Sequence, residues 1–562
     1  MKVAIFIAII MASMVAGQQQ SLASFINDNN VLNYALTLEN LEAAYYQQGL
    51  NALNESAFNA SGFPQGVRAA ISVIAAQEAD HARTLTSVLG ARGWPAVTPC
   101  NYTFTFTDAR SFVSLLATIE GLGTEAYVGA AIGLTNKDLL NTAAGIASVE
   151  ARHTAFINYL LGQNVFPDGN QTNPASFQKV TAAVTPFFAS CTPVTLSTTY
   201  NGSITVSSTT FASYQWQPAS SYRFPSQPVA NFYNPQFDGS QYINGNATIL
   251  NSDASVLNYA LVLERLESNF YQTFNQSFTP AAILADYPGL NTTLANLFSS
   301  VIGMIGEHEI IHVNTLSGAL AALSQAPGAT FSVASACSYN WTALNPALAT
   351  PSNVSFTTFL QVAYTLESTG VKAYNGAVDK ITVPSFAQTA ASIHTVEAEH
   401  TAFLAQLFQP TSALNVGNGT TVKAFDAAYD APDALNTTAV VNIVGPLLAP
   451  SCLTGVTLPG NTRVNIFNDA NNNAGAPFNT ATGTNANTNN GGATGTVTGT
   501  NANTNNGGAT GTVTGTNANT ATGTNANTNN GGTATGTNNG TSGSASFIAL
   551  SMIVAAFSAL VM

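Results

Sequence analysis

Ser148-Val-Glu-Ala-Arg-His-Thr-Ala-Phe156 returns later in the chain as Thr395-Val-Glu-Ala-Glu-His-Thr-Ala-Phe403, and each copy sets a histidine three residues after a glutamate. On a helix, positions i and i+3 share a face, so Glu150 with His153, and Glu397 with His400, aim a carboxylate and an imidazole at one spot. The same spacing occurs at Glu78/His81 and Glu309/His312. Four of the six histidines in the 562-residue chain follow a glutamate in this way, two in each half. A single such pair reads as solvated residues on a helix; four in repeated order do not.

The duplication extends outward from these motifs. Val31-Leu-Asn-Tyr-Ala-Leu-Thr-Leu-Glu39 recurs as Val256-Leu-Asn-Tyr-Ala-Leu-Val-Leu-Glu264, and Glu120-Gly-Leu-Gly-Thr-Glu-Ala-Tyr127 as Glu367-Ser-Thr-Gly-Val-Lys-Ala-Tyr374. Glu39, Glu120, Glu264 and Glu367 each have a tyrosine seven residues on, at Tyr46, Tyr127, Tyr271 and Tyr374. Seven residues is nearly two turns, so each glutamate and its tyrosine lie along one stripe. Each half therefore reads as four helices: Glu-x6-Tyr, Glu-x-x-His, Glu-x6-Tyr and Glu-x-x-His. The expected fold class is all-α, two tandem four-helix bundles, each with an extra C-terminal helix.

Two Glu-x-x-His motifs and one glutamate from each remaining helix form the ligand set of a dinuclear metal site inside a bundle. The expected set is Glu39, Glu78, His81, Glu120, Glu150 and His153 in the first half, and Glu264, Glu309, His312, Glu367, Glu397 and His400 in the second. Bridging carboxylates offset the repulsion between two cations. Mixed carboxylate and imidazole ligation suits iron or manganese, and zinc less specifically. The stripe tyrosines are placed to hydrogen-bond the ligand carboxylates.

On these residues the chain resembles the ferritin-like superfamily. Leu-Asn-Tyr-Ala-Leu-x-Leu-Glu-x-Leu-Glu and Glu-Ala-x-His-Thr-Ala-Phe make it most similar to the secreted branch of plant desiccation-related and fungal stress-response proteins. The resemblance covers about residues 25–195 and 250–457. It implies a carboxylate-bridged dinuclear centre in each bundle, with two iron or manganese ions. The superfamily includes iron storage, oxidases, oxygenases and manganese catalases, so it does not select a reaction.

Each half tests the other's remaining polar residues. Glu42 and Glu267 follow the first-helix glutamates by three residues and compete with them as ligands; the tyrosine spacing favours Glu39 and Glu264. Glu125 becomes Lys372, which reads as a surface position. His308 aligns with Gln77 and His394 with Ala147, so both histidines are assigned to helix faces outside the shared site. Asp80 and Arg152 become Ile311 and Glu399, which argues against an essential role for either.

The ends of the chain bear on location. Lys2, the apolar run Val3–Val15 and the small residues at Ala16-Gly17 read as a secretory signal peptide, residues 1–17. Asn539-Gly-Thr-Ser-Gly-Ser-Ala-Ser leads into an apolar tail, Phe547–Met562, the pattern of a glycosylphosphatidylinositol signal with attachment near Asn538 or Asn539. Between the expected domains at 18–196 and 251–457 lies a Ser-, Pro- and aromatic-rich connector, 197–250, expected to pack on the bundles. Residues 458–542, Asn/Thr/Gly repeats nearly free of large apolar side chains, read as a flexible stalk that cannot offset its ordering entropy. Residues 543–562 are expected to be the tail that anchoring removes.

An exported chain favours disulfides, and the duplication pairs Cys100 with Cys191 and Cys337 with Cys452. Glycosylation sequons fall at Asn54, Asn59, Asn101, Asn170, Asn201, Asn246, Asn275, Asn291, Asn340, Asn353, Asn418 and Asn436. With 14 basic and 27 acidic residues, net −13, the chain has no basic patch for nucleic acid. The expected partners are metal ions, a membrane through the lipid anchor, and cell-wall polysaccharide. Two functions follow from different classes: a redox-active dinuclear metalloprotein at the cell surface, or a structural anchored glycoprotein without catalysis. Retention of all twelve ligands favours the first, because a purely structural bundle would bury apolar residues instead.

Overall fold

The computed structural model describes residues 22–191, 199–200, 204–205, 247–287, 290, 292–408, 430, 435–453 and 456–459. The expected leader and anchor tail, all of the stalk beyond its first two residues, and nearly all of the connector lie outside the described residues. Four long helices build the first half: α1 (Leu22–Ala52), α3 (Val67–Ala91), α4 (Ala109–Ala130) and α5 (Lys137–Leu161), with short α2 (Glu55–Ala60) after α1 and α6 (Phe177–Val184) at the end. The second half repeats the order with α7 (Ala247–Phe274), α8 (Pro280–Asp286), α9 (Thr292–Leu323), α10 (Phe356–Ala377), α11 (Pro384–Phe408) and α12 (Thr437–Val444). α6 and α12 are the extra C-terminal helices. The short helices α2 and α8 add about two turns each between the first two long helices of each bundle. Among the described residues, no helix is long and apolar enough to cross a membrane.

Local sequence explains where these helices begin. Asp108 caps α4 by accepting from the Ser111 amide, while the Ser111 hydroxyl returns a bond to the cap backbone. Asn136 accepts from the Asp138 and Leu139 amides at the start of α5, and Gly162 ends that helix at φ 71°, a left-handed conformation that glycine adopts without penalty. Ser176, Ser355 and Asn436 cap α6, α10 and α12 in the same manner. Tyr34, Leu38, Leu41 and Tyr45 then form a buried stripe on α1, packed against α3 and α4.

Buried polar groups fix the register between helices, and they do so twice. Asp28 on α1 accepts from the amides of Thr135 and Asn136, just ahead of α5; Asp253 on α7 does the same for Thr382 and Val383, just ahead of α11. Asn33 and Asn258 each hold a following loop by accepting one amide and donating to one carbonyl. The chain beyond each bundle returns across the third long helix, where the Ala175 amide donates to Glu125 and the Leu435 amide to Lys372. A Cβ on Gly129 would sit 1.9 Å from the Ala175 carbonyl oxygen, and one on Gly376 1.8 Å from that of Leu435. Only glycine permits that approach.

Cys100–Cys191 and Cys337–Cys452 are the disulfides, each closing its own half. In the first half the bridge flanks a small antiparallel pair, β1 (Asn101–Tyr102) with β2 (Phe188–Ser190); in the second, a single bridge between Tyr339 and Leu448 takes its place. A second two-stranded pair, β3 (Thr199–Tyr200) with β4 (Ile204–Thr205), opens the connector.

The halves pack through α5 against α11, the two helices that carry the opening motif. The interface repeats itself: Asn141 on α5 donates to the Asn375 carbonyl, and Gln388 on α11 donates to the Val128 carbonyl. One apolar core runs through both halves, and Ala402 and Ala405 of the second half join the core of the first. Of the sequon asparagines, Asn54, Asn59, Asn101, Asn340, Asn353 and Asn436 are exposed, and Asn170 and Asn275 half-buried. Asn201, Asn246, Asn291 and Asn418, with Asn538 and Asn539, lie outside the described residues.

Candidate metal centres

The four long helices of each bundle bring their acids and imidazoles together in its interior. In the first half α1 supplies Glu39, α3 Glu78 and His81, α4 Glu120, and α5 Glu150 and His153; all six are fully buried. They form two overlapping groups, Glu39/Glu78/His81/Glu150 and Glu78/Glu120/Glu150/His153, in each of which the ligand atoms lie within 4.8 Å of one another. The second half repeats this with Glu264/Glu309/His312/Glu397 and Glu309/Glu367/Glu397/His400. Glu78 and Glu150, and likewise Glu309 and Glu397, belong to both groups of their bundle. Two cations side by side would share those carboxylates, while Glu39 and Glu120, or Glu264 and Glu367, would each serve one ion.

Both imidazoles present Nδ1 to the carboxylates. His81 Nδ1 lies 3.2 Å from Glu39, 3.1 Å from Glu78 and 3.1 Å from Glu150; His153 Nδ1 lies 2.8 Å from Glu78 and 3.2 Å from Glu120. His312 Nδ1 stands 3.1 Å from Glu264, 3.3 Å from Glu309 and 3.1 Å from Glu397, and His400 Nδ1 3.1 Å from both Glu309 and Glu367. Without a cation, such nitrogens keep a proton. Burial alone would lower the His153 and His400 pKa values, but the surrounding carboxylates, led by Glu120 and Glu367, lift both to about 9. Glu39 and Glu264 are pushed up to about 7 by burial, against the opposing pull of His81 and His312.

The tyrosines tie the helices crosswise. Tyr46 on α1 donates to Glu120 on α4, and Tyr127 on α4 donates to Glu39 on α1. Tyr271 and Tyr374 make the equivalent bonds to Glu367 and Glu264. Each fixes the carboxylate of the opposite helix, which leaves that group's other oxygen facing the centre.

Glu42 and Glu267 are buried but stand outside the convergent groups. Their carboxyls lie beside the bridging position: a Cβ on Gly123 would come within 2.9 Å of both Glu42 and Glu150, and one on Gly370 within 3.0 Å of Glu397 and 3.1 Å of Glu267. Burial first, and then the neighbouring glutamates, hold both acids well above the usual carboxylate range. The two glycines leave the room these paired carboxyls occupy.

Two sequence expectations need correction. His308 is not a helix-face residue: it is buried, and its Nδ1 lies 3.0 Å from His400 Nε2. Gln77, its counterpart, takes the same place in the first half, where its side-chain oxygen accepts from His153 Nε2 at 2.7 Å. The signal was available, since both positions directly precede the glutamate of Glu-x-x-His and both carry a hydrogen-bonding group. His394 is buried too, its ring tilted against the Tyr374 ring that holds Glu264, with centroids 6.1 Å apart. Burial leads the effects that pull His308 down to about 3 and His394 to about 4, so both rings are neutral. Glu125 is partly covered and pairs with Lys179 at 2.6 Å. Arg152 makes a partly buried ion pair with Asp430 at 2.9 Å, and Asp80 pairs with Arg83 on the same helix.

Four-helix bundles with this crosswise arrangement of Glu and Glu-x-x-His define a class of proteins built around carboxylate-rich interiors. Residues 27–163 and 252–410, more than half of the chain, match the ferritin-like domain, and the chain belongs to that family in tandem duplicate. No curated protein matches the chain as a relative.

The donor set fits a pair of divalent cations. Four ligand carboxylates per bundle balance two divalent charges when both imidazoles are neutral. Glu150 Oε2 and Glu397 Oε2 accept no hydrogen bond although fully buried, which is costly unless a cation meets them. Their Oε1 atoms face only the Nδ1 atoms of His81 and His312.

Proposed function

We propose that each bundle holds a pair of iron or manganese ions, and that the chain is a redox-active metalloprotein acting on peroxide, dioxygen or ferrous ion. The observation that carries this reading is the convergence of four glutamates and two histidines per bundle, with two carboxylates shared between adjacent ligand groups. Such a metal pair would supply Lewis acidity and could exchange one electron per ion, given up to peroxide or dioxygen and taken back from a reductant such as ferrous ion. Glu39, Glu120, His81 and His153 would hold the outer sides of one pair, with Glu78 and Glu150 between the ions; Glu264, Glu367, His312, His400, Glu309 and Glu397 do the same in the second half. The tyrosines orient the terminal carboxylates, and Glu42 and Glu267, whose carboxyls burial holds above the usual range, stand next to a bridging ligand. The closed apolar core around the site excludes bulk water.

The leader and tail motifs read from the sequence support action at the cell surface through a lipid anchor, and the resemblance to desiccation-related and stress-response proteins supports a role in stress protection. Two disulfides and exposed sequons are in keeping with an exported chain. Release of the protein from intact cells by a phosphatidylinositol-specific phospholipase tests the anchor.

Elemental mass spectrometry of the purified protein tests the centres. The expected content is about two iron or manganese ions per bundle, absent from a variant with His81, His153, His312 and His400 changed to alanine. Less than one ion per chain in the parent, with the variant equally stable, would make the chain a structural surface protein.

A further inference from the structure

The second centre is walled by a piece of the first half. Beyond α5, residues 163–173 leave their own bundle and lie along α9 and α11 of the other. Thr172 donates its amide to the Ser392 carbonyl at 3.1 Å, accepts from the Ser392 hydroxyl at 2.8 Å, and meets the Thr395 hydroxyl at 2.7 Å. Gln171 donates to Thr315 at 2.8 Å. Between these anchors and α5, the Asn170 carbonyl accepts from His312 Nε2 at 2.6 Å. Phe166, fully buried, sets its ring edgewise at 4.9 Å from His400 and 5.3 Å from His308.

A carbonyl oxygen can only accept, so the Asn170 bond requires a proton on His312 Nε2 and leaves Nδ1 as the atom that meets Glu264, Glu309 and Glu397. A five-membered ring on a single-bonded stem could turn over, and would then offer the wrong nitrogen. The strap prevents this, while Phe166 limits the His400 and His308 rings from the outside. We propose that segment 163–173 of the first half is a positioning element for the second metal centre, so that this centre is complete only when the two halves are docked. The reciprocal contact has one described residue: Asp430, from the chain beyond α11, donates its amide to the Gly145 carbonyl and pairs with Arg152 on α5.

This inference rests on the metal reading, but part of its test does not. Thr172→Pro removes both the amide donor and the hydroxyl; Thr172→Ser keeps both; Asn170→Gln abolishes the sequon and keeps the carbonyl. Nitrogen-15 NMR of metal-free full-length protein should show a slowly exchanging His312 Nε2–H in the parent, Thr172→Ser and Asn170→Gln, and fast exchange in Thr172→Pro. Cobalt(II) titration then reads each centre separately, in backgrounds where the other centre's two histidines are alanine. Thr172→Pro should weaken cobalt binding at the second centre about 10- to 100-fold, the usual effect of losing a ligand's outer partner, and leave the first within about twofold. Should Thr172→Pro not fold, Phe166→Ala, which leaves the backbone bonds in place, should give a smaller loss with the same selectivity. An unchanged His312 N–H together with unchanged cobalt binding would reduce the strap to packing. Equal losses at both centres would overturn it as well. If the parent takes up no cobalt at either centre, the metal reading falls, and the exchange rates alone decide whether the strap holds His312.

Discussion

The first and second halves keep the same six inward-facing glutamates and histidines, the same two tyrosine bonds and the paired acids Glu42 and Glu267, yet other polar residues just outside that set differ. His153 rests on the amide of Gln77, and His400 on the ring of His308. Arg152, between Glu150 and His153, pairs with Asp430; its counterpart Glu399 is a buried acid held well above the usual carboxylate range by burial and by Asp168. Ala147 lies where the second half has His394. The duplication thus separates two kinds of requirement. The inner set is fixed because any missing member leaves buried charge uncompensated. The outer set needs only to supply an acceptor or fill the space, and several residue types can do so.

Changing an inner residue should produce the largest effect and keep it local. Glu150→Ala should reduce metal affinity at the first centre by more than about 100-fold, beyond the range for outer partners, while the second keeps its ions. Metal counting on the single variants Glu150→Ala and Glu397→Ala checks this; loss from both centres in either variant would mean that the halves load as one unit. The disulfides come next. Bridges spanning 91 and 115 residues should each contribute about 4–5 kcal/mol in the chain-entropy model. Paired serine variants of Cys100/Cys191 and Cys337/Cys452 should therefore lose similar stability in denaturant titrations. A bundle that survives the loss of its own bridge unchanged would show that docking to the other half carries the constraint.

Much of this was legible in the sequence, for a physical reason. The helices were readable because their inward residues repeat at helical spacing, and the site because Glu-x-x-His and Glu-x6-Tyr each put two groups on one face. The duplication turned each weak motif into a checked one. His308 escaped because comparison between halves asks for identity, and an imidazole and an amide look unlike although both serve a neighbouring ring. The strap escaped for a different reason: Phe166, Asn170 and Thr172 carry no periodic signal, and their contacts lie on helices far along the chain. The small strands around Cys100 and Cys191 also follow from where the disulfide brings the chain together, not from a run of strand-forming residues.

Proton competition should act on both halves alike. His153 and His400 hold a proton to about 9 in the metal-free state, so binding a cation at Nδ1 must release it. Affinity should then rise as pH increases toward about 9, by roughly tenfold per unit for each proton displaced, and fall correspondingly in acid. Metal titrations at pH 6, 7 and 8 on each centre should give matching slopes. Unequal slopes would locate the difference in the outer residues.

The finest contrast is Gln77 against His308, and exchanging them isolates it. His308→Gln gives His400 the amide acceptor that His153 has; Gln77→His does the reverse. When Nδ1 holds metal, Nε2 must donate outward, and either an amide oxygen or a neutral imidazole nitrogen can accept it. The two acceptors differ in shape and in how strongly they polarise the ring, so each exchange should move affinity by about tenfold or less, in opposite directions. Gln77→Ala and His308→Ala, which leave a buried ring N–H unmet, should cost more than either exchange. If alanine and the exchanged residue behave alike at both centres, the outer bond contributes nothing to metal binding, and the divergence between the halves is a difference of packing alone.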